Sequence, residues 1–252
     1  MLSLHQHARD IVEIQLARPP VNALNPDLLA RLEAAIREAP EKGAAGIVLS
    51  GAPGMFSAGL DVPHLMQLDR DALEQAWRGF FRVCQALASS PVPSVAAITG
   101  HSPAGGAVLS LFCDYRVMAE GGFKIGLNEV QVGLIVPDCI QHALRRVVGT
   151  YPAERLMVAG AMISPDEAAR LGMVDELAAV DAVVPRAVAW LDALLTLPRS
   201  AMLATRSLAR ADLVAAVDDP ERLDLGQFID AWFREETQGV LGALVARLKG
   251  GR

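Results

Sequence analysis

The run Val92-Pro93-Ser94-Val95-Ala96-Ala97-Ile98, Thr99-Gly100-His101-Ser102-Pro103-Ala104-Gly105-Gly106, Ala107-Val108-Leu109-Ser110-Leu111-Phe112, Cys113-Asp114-Tyr115-Arg116-Val117-Met118 decides the fold. Its first seven residues are apolar but for Ser94, β-branched in part and bounded by proline and glycine, which predicts a buried strand over Val92–Ile98. Gly105 to Phe112 predicts a helix and Tyr115 to Met118 a second strand. A strand, a crossover helix and another strand form a βαβ unit, and such units build parallel sheets.

Upstream, Gly46 to Ser50 predicts another buried strand, followed by a loop at Gly51-Ala52-Pro53-Gly54 and a long helix from about Asp71 to Ala88. Asn25-Pro26 opens an earlier helix, with Asn25 as cap and Leu28, Leu29, Leu32 and Ile36 as its apolar stripe. Asp10 to Leu16 alternates, predicting one or two edge strands. Downstream, Gln141–Val148, Pro152–Ala159, Ser164–Arg170 and Val180–Leu195 read as helices, and Met173–Leu177 as a last strand. From Pro198 the pattern is helical only, with Leu241, Leu244, Val245 and Leu248 at helical spacing. The expected organisation is an α/β core over 1–196 and a helical C-terminal region over 197–252.

The chain has 252 residues, of which 52% are hydrophobic and 21% charged, enough for a sizeable core and too little charge for disorder. Its formal charge is −6, and no Lys/Arg cluster stands out, which argues against nucleic acid as a partner. The N-terminus has neither the basic start nor the apolar run of a signal peptide. Val83 to Cys113 carries no charge, but Pro91, Pro93, Pro103, Gly100, Gly105 and Gly106 break it, so it reads as core and not as a membrane span. The three cysteines Cys84, Cys113 and Cys139 are too widely spaced for a disulfide framework or a thiolate zinc site. They read as reduced, buried thiols of a cytoplasmic protein. His5, His7, His64, His101 and His142 show no ligand spacing, and no metal is expected.

Chemistry is expected at three segments. Phe56-Ser57-Ala58-Gly59-Leu60-Asp61 and Gly100–Gly106 are turns rich in small residues, the second opening a helix. Two main-chain N–H groups aimed at one point from such turns would form an oxyanion hole; each turn taken singly reads first as a tight connection that needs glycine. Glu129 is the single acidic residue between Ile125 and Pro137. Among apolar neighbours its pKa should rise toward neutrality, suiting a general base for a weakly acidic C–H; the alternative is a helix-start glutamate facing water. Asp61 reads first as a local cap, Asp114 as a brace at the start of a strand, and Trp77, Trp190 and Trp232 as packing residues. No dinucleotide fingerprint, phosphate-binding loop or Gly-x-Ser-x-Gly elbow is present.

Together these segments resemble the crotonase, or enoyl-CoA hydratase/isomerase, superfamily. The resemblance begins at Leu16-Ala17-Arg18-Pro19-Pro20-Val21-Asn22-Ala23-Leu24-Asn25, continues through Phe56–Asp61, Gly100–Gly106 and Cys113-Asp114, and ends at Ser200–Leu208. It implies a crotonase-like spiral of βαβ units with a helical C-terminal trimerisation region. It also implies an acyl-CoA thioester substrate whose carbonyl is gripped by the N–H groups of Ala58 and Gly105. Ala23 and Leu24 match a segment along the CoA adenine, Leu60 and Asp61 match positions beside the pantetheine arm, and Gly59 is a further substrate-binding position. Glu129 matches a catalytic glutamate and Asn128 a neighbouring substrate contact, with a helix cap as its alternative.

The sequence departs from the hydratases at Val108, where they carry a second glutamate. One base suffices to shuttle a proton between two carbons. Ser102–Gly106, Cys113–Arg116 and Gly126–Gly133 are similar to the mitochondrial type of Δ3,Δ2-enoyl-CoA isomerase. The expected activity is therefore conversion of 3-enoyl-CoA to trans-2-enoyl-CoA, of the fatty-acid β-oxidation type, with no cofactor beyond the CoA of the substrate. The alternatives are a 2-enoyl-CoA hydratase, another crotonase-fold reaction such as dienoyl isomerisation or thioester hydrolysis, and a non-catalytic acyl-CoA-binding protein. The resemblance implies a homotrimer, or a hexamer as a dimer of trimers, with the tail from about Pro198 near a neighbouring pocket.

Overall fold

A computed structural model describes residues 1–220 and 223–250. Strands β1 (Leu2–Gln6) and β2 (Ile11–Leu16) form an antiparallel hairpin. Helix α1 (Pro26–Glu41) starts where the sequence placed it: Asn25 Oδ1 accepts from Leu28 N at 3.0 Å. Pro26 takes the first turn, where a missing N–H costs nothing. Strands β3 (Gly46–Ser50) and β4 (Gly54–Met55) and helices α2 (Val62–Leu65) and α3 (Arg70–Ser89) follow. Next come β5 (Ser94–Ile98), β6 (Gly100–Pro103), α4 (Gly105–Leu111), β7 (Tyr115–Ala119) and β8 (Ile125–Gly126). A short 3-10 turn, Glu129–Val132, leads into α5 (Asp138–Val148), α6 (Thr150–Ala159), α7 (Pro165–Leu171), β9 (Glu176–Ala178) and α8 (Val183–Leu194). The rest of the described chain is helical: α9 (Arg199–Ala209), α10 (Ala211–Ala216), α11 (Gly226–Trp232) and α12 (Glu235–Gly250).

The main sheet has six strands in the order β1-β2-β3-β5-β7-β9, parallel except for the β1–β2 pair. Alternate residues along each central strand go to opposite faces. Ile47, Leu49, Ala96, Ile98 and Met118 join the larger core with α1, α3 and α4. Val48, Val95, Ala97 and Val117 join Val183, Ala187 and Leu191 of α8. Both faces are covered, so these strands read in the sequence as unbroken apolar runs. β2 is an internal strand rather than an edge, because β3 pairs with it in parallel.

A second sheet, β4-β6-β8, was not visible in the sequence. Its strands are two to four residues long, too short for any periodicity to register. It is parallel throughout, so all three strands deliver the chain to the same end.

All three cysteines are free and buried; burial pushes the Cys113 thiol up to about 11 and that of Cys139 up to about 12, which keeps both un-ionised near neutral pH. Among the described residues, no single helix is long and apolar enough to cross a membrane.

Candidate active site

The three segments singled out in the sequence each follow one strand of the small parallel sheet: Ser57–Asp61 after β4, Ala104–Gly106 after β6, and Asn128-Glu129 after β8. They meet at its carboxyl end, where open α/β sheets place ligands. A cleft of about 650 Å³ opens there. Ala23, Ala58, Leu60, Asp61, Gly105, Asn128 and Glu129 all line it. Leu24 is fully buried and braces the wall: its N–H donates to Gly59 O at 2.8 Å and its carbonyl accepts from Asp61 N at 3.0 Å.

That brace determines which N–H faces the cleft. The two bonds of Leu24 go to the residues flanking Leu60, so Leu60's own N–H points away from the bridge. No described residue accepts from it. A Cβ at Gly105 would lie 3.4 Å from Leu60 N, so the two turns are in contact. Gly105 is the first residue of α4 and has no acceptor within that helix for its N–H. Ala104 before it sits at φ 46°, ψ −119°, a backbone state strained for a residue with a side chain, held by Ala104 N donating to Gly126 O at 2.8 Å. The expectation for Ala58 needs correction. Its N–H donates to the Val21 carbonyl at 2.9 Å and is not free for a ligand. The free donor of that turn is Leu60.

Gly59 makes the approach possible. It sits at φ +82°, and a Cβ there would lie 3.1 Å from both Ala104 Cβ and Gly105 N. We predict that Gly59→Ala spreads the two turns and lowers turnover about ten-fold. The check is steady-state kinetics beside a binding measurement with a saturated acyl-CoA; unchanged turnover would reject this role for the turn.

Glu129 starts the 3-10 turn and is buried. Burial pushes its carboxyl up to about 7, against a smaller lowering by a backbone hydrogen bond, and no charged neighbour contributes. Its Oε2 has no hydrogen-bond partner. Asn128 precedes the turn without capping it, and its Oδ1 is likewise buried and unpartnered, so the capping alternative drops out. Asp61 does what a local cap does: Oδ1 accepts from His64 N at 3.2 Å, and Oδ2 pairs with Arg18 Nη2 at 2.7 Å. Arg18 also donates to Ala23 O at 2.8 Å. Among the described residues, Glu129 is thus the cleft's one acid without a counter-charge. Val108 is wholly buried in α4 and puts no carboxylate on the cleft.

The sequence pointed to Leu65–Phe81 for the apolar end of the cleft but did not single out its lining residues. Trp77 and Phe80 of α3, Trp232 of α11, and Leu244 and Leu248 of α12 line it. Trp77 and Trp232 therefore do more than pack; their helical spacing showed burial but not which cavity they border. Trp232, Leu244 and Leu248 bring the C-terminal region onto the chain's own cleft. Trp190 does pack, stacking on Tyr115 at 4.6 Å. A hollow of about 530 Å³ beside Trp190 contains Asp114 and Arg206, which pair with each other. Among the described residues, no group of three or more His, Cys, Asp or Glu is placed to hold a metal.

The sequence profile described as enoyl-CoA hydratase/isomerase matches residues 6–236. The chain belongs to the enoyl-CoA hydratase/isomerase family. Among curated members, it is 30% identical over 242 residues to mitochondrial enoyl-CoA delta isomerase 1 of Mus musculus, covering 95% of this chain and 84% of that one. It is 35% identical over 213 residues to a probable enoyl-CoA hydratase of Mycobacterium avium (strain 104), covering 84% and 82%. Among solved structures of the family, human mitochondrial delta3-delta2-enoyl-CoA isomerase superposes with a TM-score of 0.93 at 27% identity, over 100% of this chain and 99% of that one. The α/β architecture is accordingly the crotonase fold, and its acyl-CoA chemistry is that of a hydratase/isomerase family enzyme.

Proposed function

We propose that this enzyme moves a double bond, converting 3-enoyl-CoA to trans-2-enoyl-CoA, with Glu129 as the only proton carrier. The thioester oxygen sits between the N–H groups of Leu60 and Gly105. The Glu129 carboxylate takes a proton from carbon 2, and the electron pair of that C–H bond delocalises onto the thioester oxygen and carbon 4 as a dienolate. The two donors stabilise the developing charge; one such donor is worth about 2.7–4 kcal/mol. The proton then returns from Glu129 to carbon 4 as the 2,3 double bond forms, leaving the carboxylate as it began. Asn128, Ala23 and Asp61 contribute to the substrate-binding wall. No metal and no cofactor beyond the substrate's own CoA enters this scheme.

The observation that carries the reading is the uncompensated Glu129 with Val108 where a hydratase would hold its second acid. A hydratase reading is favoured by the name of the mycobacterial relative; a non-catalytic acyl-CoA-binding role stands third. The deciding measurement is a panel of 2-enoyl and 3-enoyl thioesters with product identification. The expected result is a kcat/KM for 3-enoyl-CoA that exceeds hydration of 2-enoyl-CoA by about 10²-fold or more. Faster hydration assigns the chain as a hydratase, and no turnover across the panel despite binding assigns it as a binder.

The proposed setting is a cytoplasmic homotrimer or dimer of trimers acting on acyl-CoA, with neither nucleic acid nor membrane as partner. Self-assembly is supported by apolar surface in need of cover: Leu208 is 81% and Val158 75% exposed, and α9 has no buried residue.

A further inference from the structure

The turn that carries Glu129 is gripped from two sides. On one, Gln131 Nε2 donates to Gly160 O at 2.8 Å. On the other, Thr237 of α12 donates from Oγ1 to Gly133 O at 3.0 Å. Thr237 is only 2% exposed. Gly133 ends the turn at φ +76°, and a Cβ there would lie 2.7 Å from Thr237 Oγ1 and 3.2 Å from Thr237 Cα. The missing side chain is therefore the seat of α12. Leu134 N donates to Glu129 O at 3.0 Å, so the backbone just past this seat is tied straight back to Glu129. Glu129 Oε2 has no partner of its own, so the carboxylate is aimed by the turn's backbone and packing rather than by a neighbouring donor.

We infer that Thr237 is a positioning residue: its contact with Gly133 makes the C-terminal helix a clamp that fixes the Glu129 turn against the substrate. The inference rests on the proposed role of Glu129. A displacement of the turn by about an ångström misaligns the base with carbon 2 and carbon 4, and displacements of that size cost up to about 10² in rate. The same helix brings Leu244 and Leu248 to the cleft, so one element closes the apolar end and holds the base.

The test compares Thr237→Val, which loses the hydroxyl at nearly constant shape, with Thr237→Ser, which keeps it. Turnover of 3-enoyl-CoA is followed across pH, with saturated acyl-CoA binding and thermal melting measured in parallel. The expected result for T237V is a kcat about ten-fold lower, with KM and saturated acyl-CoA binding within about two-fold of wild type. The acid limb of its pH profile should move below 7 as water reaches the carboxylate. Among the described residues, the cleft's other charged side chains are Asp61 and Arg18, which pair with each other; the limb is assigned to Glu129 by its absence from the profile of Glu129→Gln. T237S should recover most of the lost kcat. A merely structural threonine would lower the yield or melting temperature while leaving kcat per folded enzyme and the acid limb unchanged, and that result overturns the inference. Thr237→Ala carries the same readouts where T237V does not fold. Failure of the underlying reading looks different: wild type and Glu129→Gln would turn over 3-enoyl-CoA equally, and the inference falls with it.

Discussion

Glu129→Gln enzyme binds acyl-CoA thioesters normally and turns over 3-enoyl-CoA about 10²–10⁴-fold more slowly than wild type, the range a positioned general base contributes. Glutamine keeps the size and the hydrogen-bonding end of the side chain but cannot accept the carbon-2 proton. Near-normal turnover of purified E129Q would remove Glu129 from the mechanism. The wild-type pH profile follows from the same residue. The base must start ionised, so kcat/KM should climb with pH and level off above about 7, where burial has placed the carboxyl.

The same substitution should stabilise the fold at high pH. The folded pKa of about 7 lies above the ordinary 4.5, so between those values the folded state binds more protons than the unfolded one. Stability from this group therefore falls as pH rises from about 4.5 to 7, and the full cost is present above 7. That cost is on the order of 3 kcal/mol. E129Q should melt higher than wild type at pH 8, with the gap closing near pH 5. Equal melting at both pH values would mean the carboxylate is solvated.

Asp114→Ala should cost about 3–5 kcal/mol of stability, the range for breaking a buried ion pair by deleting one partner. Asp114 accepts from Ser94 N at 2.8 Å, from Arg206 Nε and Nη2 at 2.8 Å each, and pairs with Arg210 Nη1 at 3.1 Å. Both guanidinium groups are largely buried. Burial weighs most against the Arg210 charge, and Asp114 is the first group to offset it. Without the carboxylate, two cations remain close together with only the carbonyls of Ser90 and Phe112 for company. The cluster joins α9 and α10 to the start of β5 and β7, so the loss should appear as global unfolding in urea at lower concentration. A change below about 1 kcal/mol would show that water reaches the arginines.

Much of the fold was readable because its elements are locally signed. Asn25-Pro26 marked a helix start to the residue, and the runs at Gly46–Ser50 and Val92–Ile98 marked central strands because both faces are covered, the second strand beginning two residues later, at Ser94. Glu129 stood out because a lone acid in an apolar stretch has few explanations. The small sheet was silent because strands of two to four residues carry no period. The Ala58 expectation failed for a different reason. Every residue of the turn offers an N–H, and which one is free depends on acceptors at Val21 and Leu24, more than thirty residues away in the chain.

The sequence by itself determined the longer helices and the central strands, the parallel α/β class, the three segments that meet at the cleft and the residue suited to be the base. Those properties reside in side-chain periodicity and local chemistry. Only the tertiary structure decided that Leu60 rather than Ala58 offers the free donor, that Trp77 and Trp232 border the cleft, and that α12 closes on its own chain and holds Gly133. Each of these is a choice among groups that look alike in sequence, and it is made by a partner brought close only when distant strands and helices pack.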